Sequence, residues 1–322
     1  TTGAITARDA VVIGFDEDEL IDRIGQFRDK ARSDDAVRKQ FFAKRKAGKY
    51  LPGDTRGWKL SDARKRVQSD GDWDYRCKVY QYRPFDVRSV YYVPWMVDWP
   101  RDDVFAHLLP AGENICLVVC RQIVSSEWRH VLVADKIVDD SCVSNKSRER
   151  GYAFPLYLKP SGTSQLFVSN DDTGRPTNFA ESAIATFEEL LGPRGEWAST
   201  DSSLSWPELL FFYVVAILHS SDYRKRFSGL LQVDFPQIPV PRSIEALRQL
   251  ASVGQRAAHA YLAYQTDPPE TVARFMCEGS RSIRRVGEKG KRLQEGDGAS
   301  GVGRLYINDQ CYFDAVPLDA WE

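Results

Sequence analysis

The sequence predicts an α+β protein, with a mixed or antiparallel β-rich core between an N-terminal helical segment and a helical C-terminal scaffold. Three observations predict it. Runs of β-branched and aromatic residues of strand length crowd into residues 76–168. From about residue 171 the apolar residues recur at helical spacing. No internal repeat and no long linker interrupts the chain. The expected divisions are 1–70, an N-terminal strand and basic helical segment; 71–170, the β-rich core; and 171–322, the helical scaffold with a closing hairpin.

The elements follow in order. AITARDAVVIGF reads as a short strand before an acidic helix, with Asp16 as cap and Glu19 at capping-box spacing. A basic helix is expected near Ser33–Lys46. Gly48, Pro52, Gly53 and Gly57 then mark a turn-rich loop that ends in the short charged helix SDARKRVQ. RCKVYQY, VRSVYYV, NICLVVCRQIV, RHVLVADKIV and FPLYL read as strands, and NICLVVC, continuously apolar, as a buried central one. The polar link VDDSCVSNKSRERGYA between two of these strands suits recognition chemistry. AESAIATFEELL is amphipathic. WPELLFFYVVAILHSSDYRKRF is apolar all round over most of its length and predicts a buried helix. Three prolines hold LQVDFPQIPVP extended. Ser243 then caps a long helix, and RLYIN and QCYF form the closing hairpin.

Composition excludes several classes. A chain of 322 residues with 43% hydrophobic content, 8 Trp, 14 Tyr and 16 Phe can bury a large core and is not a disordered segment. No apolar run reaches 18 residues, so no helical membrane span is expected. The Thr-Thr start without Met suggests an excised fragment. Six scattered cysteines read as free thiols in a reducing cytoplasm, with Cys116 and Cys120 as core residues. The formal net charge is −1, yet residues 23–88 carry 19 Lys/Arg against 9 Asp/Glu, and residues 281–304 carry 7 against 3. Such asymmetry is what a one-faced polyanion contact needs; a solvated helical surface is the plainer alternative.

A catalytic or metal centre is not expected. The four histidines, His107, His130, His219 and His259, include no pair at metal-ligand spacing, and His219 reads as a helix C-terminal cap. A G-x-G-x-x-G match ends at Gly301, but a polar segment precedes it and a strand-like run follows, so it reads as a loop rather than a dinucleotide site. The acidic–Lys pair Asp135-Lys136 is too little to predict a nuclease. More informative are basic residues set among aromatics. Arg83 and Arg88 lie in a tyrosine-rich stretch. Arg121 and Gln122 end one strand, and Trp128 and Arg129 open the next, so they should cluster at one end of a hairpin. Asn145, Lys146, Arg148 and Arg150 follow in the polar link. Arg suits phosphate or guanine and Asn suits adenine, so these ten are the candidate DNA contacts, with Asn145 and Gln122 as base readers; from the residues alone an ordinary charged surface with structural tyrosines is the plainer alternative.

Several blocks occur in a recognisable order: TGAITARDAVVIGFDEDEL, RPFDVRSVYY, SCVSNKSRERGYAFPLYLKP, LLFFYVVAILHSSDYRKRFSGLLQVDFPQIPVP and YFDAVPLDAWE. Through them the chain resembles, over nearly its whole length, the C-terminal specificity region of Type ISP restriction–modification enzymes, related to Type IIL enzymes. The resemblance implies a module for sequence-specific recognition of double-stranded DNA in a bacterial, cytoplasmic phage-defence protein. It implies a parent that joins this module to an adenine-N6 methyltransferase domain, a partner within the same chain, and to an ATP-dependent endonuclease. S-adenosylmethionine, ATP and Mg would then belong to the parent, and neither the Asn-Pro-Pro-aromatic methylation motif nor ATPase motifs occur here. The alternative is an assembly or docking module for a methyltransferase or phage-defence partner, with weak DNA binding alone. A membrane partner is not expected.

Overall fold

The N-terminal acidic run folds as its spacing predicts. After α1 (Asp9–Val12) and the two-residue β1 (Ile13–Gly14) comes α2 (Glu17–Arg28). Asp16 accepts the Glu19 N–H at 2.8 Å, and Glu19 reaches back to the Phe15 N–H, also at 2.8 Å. Leu20, Ile24 and Phe27 form its buried stripe. Ser33 caps α3 (Asp34–Phe41), which closes well short of Lys46. Phe42 leaves the helical conformation there, and its ring packs beneath Gly53 (φ +93°), where a Cβ would lie only 2.8 Å from the ring. The computed structural model describes residues 1–45, 48–146, 149–159, 168–198, 204–263, 273–279, 293–295 and 301–318.

The basic helix α4 (Leu60–Ser69) uses part of its charge internally. Arg64 is buried and donates to the carbonyls of Phe27 (2.8 Å), Asp29 (2.7 Å) and Arg32 (2.9 Å), closing the C-terminus of α2. Arg38 is likewise buried, in a two-point pair with Asp54 at 2.7 and 3.2 Å. The basic excess of residues 23–88 therefore overstates the cations this region offers to solvent.

A hairpin of β2 (Cys77–Arg83) and β3 (Asp86–Tyr91) follows, then α5 (Asp102–Phe105), β4 (Cys116–Cys120), β5 (Val131–Ala134), β6 (Ile137–Val138) and β7 (Gly151–Pro155). Two small sheets result, one ordered β1-β3-β2-β6 and one ordered β5-β4-β7. RHVLVADKIV is not one strand: Ala134 pairs with Cys116 in the second sheet, whereas Ile137 pairs with Tyr80 in the first. The chain changes sheets at Asp135-Lys136. The pairing of β2 with β6 is parallel and the others in these sheets are antiparallel. FPLYL contributes only its first two residues to a strand, because β7 pairs with β4 from Gly151 onward.

β8 (Val168–Asn170) and β9 (Pro176–Ala180) form a separate ribbon, followed by α6 (Glu181–Leu191). The long apolar segment makes α7 (Trp206–His219), with ten buried residues, and then breaks at Ser220, which caps α8 (Ser221–Arg226) through the Tyr223 N–H. The segment read as one helix is thus two. α9 (Ser228–Leu231) leads into the extended proline segment, pinned by Tyr213 donating to the Pro239 carbonyl (2.6 Å) and Tyr223 to that of Gln237 (2.8 Å). Ser243 caps α10 (Ile244–Leu262) at 3.2 Å. α7 and α10 meet with their backbones nearly touching: a Cβ on Gly254 would sit 1.8 Å from the Phe212 carbonyl oxygen. His219 joins the same pair, facing the Val215 carbonyl (2.8 Å) and the Tyr261 hydroxyl (3.1 Å). Burial lowers its pKa, so it is a neutral bridge rather than the cationic cap the sequence suggested.

All these elements belong to one compact unit, Thr1–Leu262; Ala263–Glu322 is a second. In the second unit the predicted hairpin exists as β12 (Val302–Asn308) and β13 (Cys311–Pro317), extended by β10 (Arg274–Cys277) and β11 (Leu293–Glu295) to an antiparallel sheet ordered β10-β13-β12-β11. Two of the six cysteines are not free thiols. The register sets Cys277 opposite Cys311, Cα atoms 4.1 Å apart, and the sulfurs are bonded. The other four are unpaired, and burial pushes the Cys116 and Cys120 thiols up to about 12, as suits core packing. Of the G-x-G-x-x-G match, residues 296–300 lie outside the described residues.

Candidate nucleic-acid interface

The sheet β5-β4-β7 brings the two predicted contact loops to one edge. β4 ends at Cys120, which pairs with Gly151 at the start of β7, and Val119 pairs with Val131 at the start of β5. Antiparallel pairing on both sides of a central strand therefore makes loops 121–130 and 139–150 leave the sheet at the same end.

One buried carboxylate binds the two loops together. The Glu149 side chain is fully buried. It accepts the N–H groups of Val124 (2.8 Å) and Ser125 (2.7 Å), the hydroxyls of Ser125 (2.7 Å) and Ser144 (2.5 Å), and faces His130 Nε2 at 2.8 Å. Burial alone would raise its pKa. The donors of Ser144, Ser125, Val124 and His130 outweigh that and hold it well below the usual carboxylate range. Lys146 adds a second tie, its Nζ donating to Ser125 Oγ at 2.9 Å. Sequence reasoning missed Glu149. An acid between basic residues in KSRER was the only signal, and its donors in the other loop lie 24 and 25 residues away.

Around this clamp Arg121, Gln122, Arg129, Asn145, Lys146 and Arg150 are exposed. Three of the cations have acidic neighbours: Arg121 with Asp234 (3.0 Å), Arg129 with Glu127 (2.9 Å) and Arg150 with Asp140 (3.0 Å). About half or more of each guanidinium side chain meets solvent, and exposed pairs of this kind are worth about 0–1 kcal/mol, so a phosphate can displace the acid. Arg148 lies outside the described residues.

Trp128 is different. It is 4% exposed and packs with Val119, Cys120, Ile123, Val131, Leu218, Tyr223 and Leu231. Its indole supports the loop from below and is corrected from contact to core. Arg83 and Arg88 lie on the β2–β3 hairpin, in the other sheet. Arg83 pairs with Asp139 at 2.9 Å and so ties the hairpin to the start of loop 139–150. Asp139 also accepts from the Tyr80 hydroxyl (2.7 Å) and the Ser141 N–H (2.9 Å), but burial raises its pKa. Arg88 is held by Asp86 at 2.8 Å, with Phe15 and Tyr82 rings 4.6 and 4.1 Å from its guanidinium. The loops and the hairpin are thus linked through Arg83, whereas Arg88 sits in its own aromatic cage.

A cleft of about 510 Å³ extends the loop edge toward α8. Ser126, Glu127, Arg129 and the edge of the otherwise buried Trp128 line one side and Ser221, Arg224, Lys225 and Ser228 the other. Arg224 donates to the Leu218 carbonyl at 2.7 Å and is half-buried, while Lys225 is exposed. The sequence had assigned α8 to scaffold alone. Among the described residues no three His, Cys, Asp or Glu side chains are placed to hold a metal ion. What the edge offers is cations and amides on rigid supports.

The sequence model of the Type ISP C-terminal specificity domain matches residues 1–322. The chain belongs to this family. It is therefore a target-recognition domain of Type ISP restriction–modification enzymes, and specificity, not catalysis, is the role that membership assigns. No curated protein matches the chain. Among solved structures, the specificity domain is similar to part of a DrdV–DNA complex, with 20% identity, a TM-score of 0.63, and 99% of this chain and 29% of that one covered. It is similar to the ATP-dependent Type ISP restriction–modification enzyme LlaBIII bound to DNA (18%, TM-score 0.59, 100% and 19% covered). It is also similar to a nuclease-deletion mutant of the Type ISP enzyme LlaGI with a DNA substrate mimic (18%, TM-score 0.58, 99% and 22% covered). At such identities the likeness is one of fold, and the chain spans less than a third of each relative. No helix among the described residues is long and apolar enough to cross a membrane.

Proposed function

We propose that this specificity domain reads double-stranded DNA by sequence through loops 121–130 and 139–150. The observation that carries the proposal is the Glu149 clamp, which fixes two polar, cation-bearing loops into one edge. Recognition requires side chains held in register with base edges, and a loop held by a buried charge-assisted network loses little entropy on binding. Arg121, Arg129, Lys146 and Arg150 contact phosphates; Arg148, outside the described residues, is assigned with them. Lys225 of α8 adds a contact that the sequence did not suggest. Gln122 and Asn145 read bases, since an amide can pair two-fold with adenine. Arg83 and Arg88 contact the backbone from the hairpin.

The parent joins this domain to an adenine-N6 methyltransferase and an ATP-dependent endonuclease, and it works in the bacterial cytoplasm against phage DNA. S-adenosylmethionine, ATP and Mg are held by those other parts. The methyltransferase is the domain's partner within the chain, and α10, whose Leu250 and Val253 are 36% and 47% exposed one helical turn apart, offers an apolar face for it.

Binding of labelled duplexes, followed by fluorescence anisotropy over a salt series, tests the assignment. Arg129→Ala or Lys146→Ala should weaken all sequences alike and reduce the salt slope by about 1, whereas Asn145→Ala should relax preference at one base pair. Equal, salt-independent binding by all variants would overturn it.

A further inference from the structure

A second cleft, of about 620 Å³, shares no residue with the loop edge. It lies between residues 55–66, at the start of α4, and residues 94–99 after β3, with Arg8 in its wall. Its volume is that of a site for a small organic ligand rather than for a single ion.

The lining has two characters. Arg56, Lys59 and Arg66 carry positive charge, and Arg56 and Arg66 are exposed. The opposing carboxylates are Asp62 and Asp98, and Asp98 is already engaged by Arg8 at 2.6 Å. The cleft therefore keeps an excess of positive charge. Indoles supply the rest. Trp58 is buried, with the Arg8 guanidinium 4.3 Å from its ring, and it donates to the Trp95 carbonyl at 2.7 Å, which fixes the two walls to each other. Trp99 is 54% exposed at the rim.

We propose that this cleft binds a nucleotide, its phosphate on Arg56, Lys59 and Arg66 and its base against Trp99, taken either free or as one residue of a nucleic-acid strand. Phosphate oxygens pair with the exposed guanidinium groups of Arg56 and Arg66, and every base has a face that stacks on an indole. Nothing in this proposal depends on the loop edge reading DNA.

Tryptophan fluorescence of the chain, titrated with AMP, ATP, tripolyphosphate, a short single-stranded oligonucleotide and a duplex, tests it. Saturable quenching by AMP or ATP identifies the free source, and quenching by the oligonucleotide without free nucleotide identifies the strand; both support the proposal. The Lys59→Ala/Arg66→Ala double variant should raise Kd by about tenfold or more, and Trp99→Ala should reduce ATP affinity to that of tripolyphosphate. Thermal melting checks that the variants fold, and Arg56→Ala replaces any that do not. The proposal is overturned if no ligand saturates, if tripolyphosphate binds wild type as well as ATP does, if the duplex alone binds, or if the variants bind unchanged.

Discussion

At the residue scale the decisive side chain is Glu149, not any of the arginines that drew attention in the sequence. Its carboxylate organises donors from both loops, so removing it leaves those part-buried donors without their acceptor. Glu149→Ala should cost about 3 kcal/mol in urea unfolding and weaken duplex binding more than Lys146→Ala does. Its depressed pKa sets a sign for pH. The stabilisation is complete above the unfolded carboxylate value, about 4.3, and is lost as pH falls toward the folded value. Acid titration of wild type should show this loss and Glu149→Gln should not; parallel profiles would remove Glu149 from the account. Trp128 illustrates the converse error. An indole beside Arg129 reads as a contact in sequence, but the core beneath the loop claims it.

At the element scale the legible features were those written in local pattern. The Asp16 and Ser243 caps, the closing hairpin, the buried α7 and the extended proline segment follow from spacing within a few residues. What escaped depends on partners far along the chain. The ADK turn between β5 and β6 is invisible until Ile137 meets Tyr80, and Cys277 and Cys311 are joined only because β10 pairs with β13. The charge of residues 23–88 misled for the same reason, since Arg38 and Arg64 are internal tethers. Gly254 is another long-range constraint, legible only when α7 and α10 are together. Gly254→Ala must push the Phe212 carbonyl away and should cost about 3 kcal/mol, while Gly229→Ala, facing open space, should cost almost nothing. Equal midpoints for the two variants in chemical denaturation would contradict the close approach.

At the scale of the whole molecule, a chain of net charge −1 is an unpromising partner for a polyanion, and the proposed interface has to rely on individually placed cations rather than on total charge. The blocks that the sequence shares with Type ISP enzymes matched a family model over the full length, while the burial and ion pairing of the candidate contacts could not be read from the sequence, because loop direction is set by the sheet beneath. If loops 121–130 and 139–150 read DNA, the chain should select one adenine-containing motif from a pool of random duplexes. The most direct measurement is sequencing of the duplexes it retains, compared with those retained by a chain carrying Gln122→Ala and Asn145→Ala. The account predicts a single enriched motif for wild type that degenerates at defined positions in the variant. An unenriched pool, or the same motif from both chains, would contradict it.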